Sequence, residues 1–231
     1  MFGCPLSLRT LHALPAFPGR AHHLNTSCMF LTNKGPALDG FMQRFQAANL
    51  LPQNESERLF NWHQQLLAAY PHTDSDMVSS HNDLFKPDNI LFDGRRVWLV
   101  DWEAAFLNDR YADLAVVANL LVANEAEERL YLQEYFGKPP DEYQLARFFL
   151  MQQVAHIFYT LAFVFMSMAT EPVNLSEDVP DFRNFQRRLW TGEINLESKE
   201  MKIAYAKAHW NQSLQDRQQP RFQEALNIVS R

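Results

Sequence analysis

Apolar positions along this chain change their spacing twice. Leu59, Phe60, His63, Leu66, Leu67 and Tyr70 fall on one face of a helix. Asn54, with Glu57 three residues later, predicts a capped start for it. Upstream, Phe41, Phe45 and Ala48 predict a helix over Leu38–Asn49, ended by Pro52. A short helix over Leu6–Leu14 is predicted within a stretch broken by Pro15, Pro18, Gly19 and Gly35-Pro36. The spacing then turns short and extended. Met77–Ser80 reads as an extended run, and Ile90–Phe92 and Val97–Val100 as paired strands. Asp93-Gly94 between them predicts a two-residue type I′ turn. Helical spacing returns over Tyr111–Val122 and over Glu125–Phe136, which Gly137 and Pro139-Pro140 close. It continues over Asp141–Ala169 as one long apolar helix or two stacked ones, Asp181–Trp190, about Leu196–Gln218, and a short segment after Pro220.

A chain of 231 residues forms one large domain or two small ones, and 47% hydrophobic residues with 18 Phe supply a sizeable core. The net charge of −6 argues against nucleic acid as the main partner, because a phosphate backbone selects a basic surface. Cys4 and Cys28 are too few for a disulfide framework and fit a reducing, cytoplasmic setting. Pro5, Pro15 and Pro18 interrupt any signal peptide. The sequons at Asn25, Asn54, Asn174 and Asn211 then read as chance. Phe148–Ala169 approaches membrane-spanning length, but Gln152, Gln153, His156 and the lack of flanking basic residues weigh against a span. His63 has no second His or Cys at ligand spacing, so no zinc site is predicted.

The chemistry is concentrated in His81–Asp101, HNDLFKPDNILFDGRRVWLVD. Asp83 lies in a loop, Asn89 at the start of one strand and Asp101 at the end of its partner. Antiparallel pairing sets Asn89 and Asp101 side by side, with Asp83 close by. Carboxylate, amide and carboxylate oxygens suit a hard cation such as Mg²⁺ carrying phosphate groups.

His81-Asn82-Asp83-Leu84, Asn89-Ile90-Leu91, Asp101-Trp102-Glu103 and Asp113-Leu114-Ala115, in order within 35 residues, resemble the catalytic core of the aminoglycoside phosphotransferase and choline kinase family, distant relatives of protein kinases. The resemblance implies an α+β, mostly α fold: the helical C-terminal lobe of a protein kinase-like enzyme, with residues 1–231 as one domain and 81–103 as its catalytic loop and metal-binding hairpin. It implies transfer of the γ-phosphoryl group of ATP to a hydroxyl of a small, cationic molecule, of the choline, ethanolamine, thiamine or aminoglycoside kind. Asp83 would be the catalytic base, with His81 bracing the loop and Lys86 within the catalytic set. Asn89 and Asp101 would hold Mg²⁺ on the nucleotide phosphates, and Glu103 would join them. Asp113 would tie the next helix to the loop. Trp102, Glu103 and Asp109, with Tyr111, Glu134 and Tyr135, would form a pocket for a cation.

Two departures stand out. The kinase loop places its Asn five residues after the Asp, whereas Asp83 and Asn89 are six apart. Either the loop bulges at Phe85, or Asp88 takes the ligand position and Asn89 turns away. The 80 residues before His81 also contain no Gly-rich loop and no strand lysine. The resemblance thus covers the C-terminal lobe without a nucleotide-binding lobe. This implies weak or no activity from the chain alone, and an exposed apolar face near the hairpin for a homodimer or a separate lobe. Three readings follow: a phosphotransferase whose small lobe lies elsewhere, a non-catalytic relic or binding module of the same fold, and a helical protein with a chance motif.

Overall fold

The computed structural model describes residues 43, 45–70 and 76–230. The expected helix over Leu6–Leu14, both cysteines and most of the Leu38–Asn49 helix lie outside them; residues 45–47 are helical. The remaining chain runs α1 (Gln53–Ala69), β1 (Met77–Ser80), β2 (Ile90–Phe92), β3 (Val97–Leu99), β4 (Phe106–Asp109), α2 (Arg110–Leu121), α3 (Glu125–Phe136), α4 (Glu142–Met166), α5 (Phe182–Trp190), α6 (Lys199–Gln218) and α7 (Pro220–Val229). The fold is α+β and mostly helical.

Everything packs around α4, which is a single helix. Asp141 accepts from the Gln144 amide while the Gln144 side chain accepts from the Asp141 amide, a capping box that satisfies two otherwise orphaned donors. Beyond that cap the helix is apolar on nearly every side, as a helix surrounded by others must be. It packs against α1, α2, α6 and α7. Phe148, Leu150, Leu161 and Val164 are wholly or almost wholly enclosed, and truncating one such side chain to Ala costs about 2–5 kcal/mol. Of the polar residues that argued against a membrane span, Gln153 and His156 are buried against partners. The Gln153 amide donates to Asp216 at 2.9 Å, and the His156 and His209 Nδ1 atoms lie 2.8 Å apart. Among the described residues α4 is the one helix long and apolar enough to cross a membrane, and 72% of its apolar window is buried in the fold.

Two local expectations are corrected, and one strand is added. Asn54 does not cap α1. Pro52 occupies the cap, its fixed φ of −53° already suited to a helix start, and its carbonyl accepts from Ser56 at 2.9 Å. Glu57 instead accepts from the Gln53 side chain. The hairpin turn is not type I′: residues 93–96 intervene between β2 and β3, and of these only Gly94 has positive φ. Asp93 organises the turn, one carboxylate oxygen accepting from the Arg95 and Arg96 amides and the other from the Trp98 indole. These bonds, the indole's first, hold the Asp93 carboxyl below its usual range. Finally, Phe106–Asp109 is a strand. It pairs antiparallel with β1, Met77 opposite Asp109 and Ser80 opposite Phe106.

Candidate active site

The two small hairpins carry the loop between them. β1 delivers the chain to His81, and β4 returns beside β1 and runs directly into α2. Asn82 turns the corner with φ of +63°, a conformation Asn tolerates better than most residues. Its side chain donates to the Ser80 carbonyl at 2.9 Å and the Ala104 carbonyl at 3.2 Å, and accepts from Asn108 at 2.6 Å. Asn108 is wholly buried on β4. Sequence reasoning missed it, because its role depends on the β1–β4 pairing.

The Asp113 carboxylate reaches back from the first turn of α2. It accepts from the His81 amide at 2.6 Å and the Asn82 amide at 2.9 Å. Burial raises its pKa, and these two donors oppose the rise. The His81 ring is buried: Nε2 lies 2.7 Å from the Val100 carbonyl, and the ring packs on Trp102 at 4.7 Å. The Trp102 indole donates to the Leu99 carbonyl at 2.8 Å. Trp102 therefore lies over the His81 brace.

Asp83 is buried beneath the loop. Its Oδ2 accepts from Lys86 Nζ at 2.6 Å and from Asn89 Nδ2 at 3.2 Å, and its carbonyl accepts from the same amide nitrogen at 2.8 Å. Asn89 is thus turned inward towards Asp83. Asp88 faces solvent on the 3-10 turn Pro87–Asn89. The Phe85 ring packs on Tyr159 at 5.4 Å and Phe163 at 5.7 Å. This residue roots the loop in α4. The Lys86 pKa is raised, first by the hydrogen bond to Asp83, with the charges of Asp83, Asp101 and Glu103 adding. Lys86 therefore lies in the combined field of those three carboxylates.

Asp101 is exposed and leaves β3 with φ of +63°. Because the Val100 amide donates to the Asn89 carbonyl at 3.1 Å, the two strand ends adjoin. Glu103 is exposed beside them. With the Asn89 amide nitrogen committed to Asp83, its oxygen is the remaining donor. One amide and one carboxylate oxygen match Mg²⁺, which is commonly held by one or two carboxylates and completes its shell from phosphate and water. Among the described residues no three His, Cys, Asp or Glu side chains gather closely enough to hold a metal by themselves.

Asp109 does not join this group. It caps α2 by accepting from the Tyr111 amide at 2.9 Å, and its other oxygen accepts from Arg147 at 2.6 Å and Tyr70 at 3.2 Å. Burial raises its pKa, against the pull of Arg147. Arg147 of α4 also donates to Asp76, and its guanidinium lies 4.8 Å from the Tyr70 ring and 5.0 Å from that of Tyr111. The cation that Asp109 and Tyr111 were expected to recognise is thus one of the chain's own. Arg147 gives no signal in sequence beyond a charge within an apolar run.

Asp83 is thus buried on a braced loop and hydrogen-bonded to Asn89, and the exposed Asp101 follows the strand end that adjoins Asn89. Residues 6–149, more than half of the chain, match the model of the phosphotransferase enzyme family, and the chain belongs to that family. Among solved structures it is similar to a choline/ethanolamine kinase family protein from Mesorhizobium loti, with a TM-score of 0.61 and 19% identity over 96% of this chain and 63% of that one. That likeness shows the fold. This chain therefore spans less than two thirds of the length of that relative. No curated protein sequence matches it.

Proposed function

We propose that this chain carries the catalytic lobe of an ATP-dependent phosphotransferase acting on a hydroxyl of a small, cationic molecule, of the choline, ethanolamine, thiamine or aminoglycoside kind, in the cytoplasm. The observation that carries the reading is Asp83. It is buried and oriented through Oδ2 by Asn89 and Lys86, beside the strand ends that bear Asn89 and Asp101. Asp83 would accept the proton of the substrate hydroxyl through Oδ1, the oxygen that makes no hydrogen bond among the described residues. Asn89 and Asp101 would hold Mg²⁺, which when bound supplies positive charge against the phosphate oxygens. Catalysis would then come from positioning and from charge placed in advance. The exposed acids Glu103 and Asp101 favour a cationic alcohol.

Calorimetric titration with Mg²⁺–ATP tests the nucleotide half of the reading: binding is expected in the wild type and lost in Asp101→Ala. Asp83→Asn should abolish phosphoryl transfer while leaving the circular dichroism spectrum unchanged. Transfer retained in that variant would remove Asp83 from the role of base.

A second reading, a non-catalytic binding module, is favoured by one observation: among the described residues no lysine lies on a strand to clamp the triphosphate. The expected homodimer or separate lobe would meet the outward face of the hairpin, where Leu91 and Trp98 pair across the strands, both about half exposed. Sedimentation of Trp98→Lys against wild type tests that contact: equal association in both would exclude it.

A further inference from the structure

The charges around Asp83 are one-sided for a site that takes a polyanion. Asp83, Asp88, Asp101 and Glu103 bring four carboxylates to the loop and the strand ends, and among the described residues Lys86 is the cation that Asp83, Asp101 and Glu103 act on. Arg95 and Arg96 lie at the far tip of the hairpin, three strand residues or about 10 Å away. Lys86 and Asp83 also differ in freedom. The Asp83 side chain is 7% exposed and the Lys86 side chain 45%. The acid is fixed, and the ammonium reaches it from the solvent side. Phe85 is rooted between Tyr159 and Phe163, and Pro87 opens the 3-10 turn. The backbone on either side of Lys86 is thus held while its four-carbon stem can swing.

Resting on the phosphotransferase reading above, we propose that Lys86 is a gate: it caps Asp83 while no phosphate is present and moves to the terminal phosphate of an arriving nucleotide. Nucleotide arrival would then draw the ammonium off the solvent side of Asp83, across which the substrate hydroxyl must approach the unbonded Oδ1. A phosphate group, with more charge and more acceptor oxygens than one carboxylate, is the stronger partner for an ammonium. Asp83 and the nucleotide then compete for one cation. Any interaction between Asp83 and Lys86 in the empty site is subtracted from nucleotide affinity, and the coupling is reciprocal. A lysine that only steadied the loop would not compete with nucleotide.

The test is calorimetric titration with Mg²⁺–ATP of the full chain and of Asp101→Ala, Lys86→Met, Lys86→Arg, Asp83→Asn and the Asp83→Asn/Lys86→Met double variant, each checked for fold by circular dichroism. Lys86→Met is expected to bind about tenfold more weakly, the scale of a lost hydrogen bond to a charged group, and Lys86→Arg to recover part of the loss. Asp83→Asn should bind more tightly than wild type, and the double variant no more tightly than Lys86→Met alone. That last comparison separates release of Lys86 from the mere removal of a negative charge, which would tighten binding with or without the lysine. Tightening that persists in the double variant overturns the gate. So does binding that Asp101→Ala abolishes and Lys86→Met leaves unchanged; the nucleotide reading would then survive. Absence of binding by every protein overturns both.

Discussion

The acids Asp109 and Asp113, four residues apart, are both withdrawn from solvent, and each is held by different donors. Asp113 accepts from the backbone amides of His81 and Asn82. Asp113→Ala should leave those amides without a partner and cost about 1–3 kcal/mol per orphaned donor, read as a lower urea midpoint. The buried pair His156 and His209 makes a second prediction. Burial lowers the pKa of both rings, and each ring faces the other. Asp216, 4.0 Å from His156 Nε2, opposes the shift, while Arg183 adds to it. Neutral imidazoles share one proton between their Nδ1 atoms, one donating and the other accepting; two imidazolium rings could only repel. Because the folded pKa values lie below 6.5, the unfolded chain binds more protons just under that pH. The stability contributed is full above it and is lost as pH falls. Urea denaturation should therefore show a loss on the order of 1–2 kcal/mol between about pH 7 and pH 5. His156→Gln with His209→Gln should flatten that dependence. An unchanged pH dependence in the double variant would assign it to other groups.

At the level of elements, α4 supports the loop that carries Asp83 from two points. Tyr159 and Phe163 receive Phe85, and Arg147 receives Asp76 before β1 and Asp109 at the end of β4. The Arg147 guanidinium therefore clamps the β1–β4 pair to the helical core at one end, and Arg110 of α2 adds a second contact to Asp76. Arg147→Met should leave Asp109 buried without its counter-charge and cost about 3–5 kcal/mol, measured by denaturation. Adding Asp109→Asn should recover part of the loss; a double variant as unstable as the single one would mean that the packing of Arg147 on its tyrosines matters more than its charge. Phe85 falls within the six-residue spacing of Asp83 and Asn89. The backbone spends one residue reaching into α4, then makes the Pro87–Asn89 turn that brings Asn89 back to Asp83.

For the molecule as a whole, the core is continuous from α1 to α7, so its parts are not separable. α7 buries Phe222, Ala225, Leu226 and Val229 against the rest, and Arg221 reaches from it to Glu128 of α3. Losing two or three large buried side chains costs about 2–5 kcal/mol each, which together approaches the whole stability of a typical domain, about 5–15 kcal/mol. A chain ending at Gln219 should fail to show a cooperative thermal transition; one that melts as sharply as the full chain would show that α7 is an accessory. The sequence by itself determined the helices α1 to α7, the apolar hairpin and the ordered motif from His81 to Ala115. Those depend on spacing along the chain: helical and alternating periodicity, and side chains that must sit a few residues apart to share one task. It did not determine β4, the turn built by Asp93, the inward orientation of Asn89, or the removal of Asp109 from the site to Arg147. Each of those rests on contacts between residues far apart in the chain, such as Asp109 and Arg147, 38 positions apart. Whether a carboxylate faces solvent or a buried guanidinium is decided when the layers close over it, and no local pattern encodes that choice.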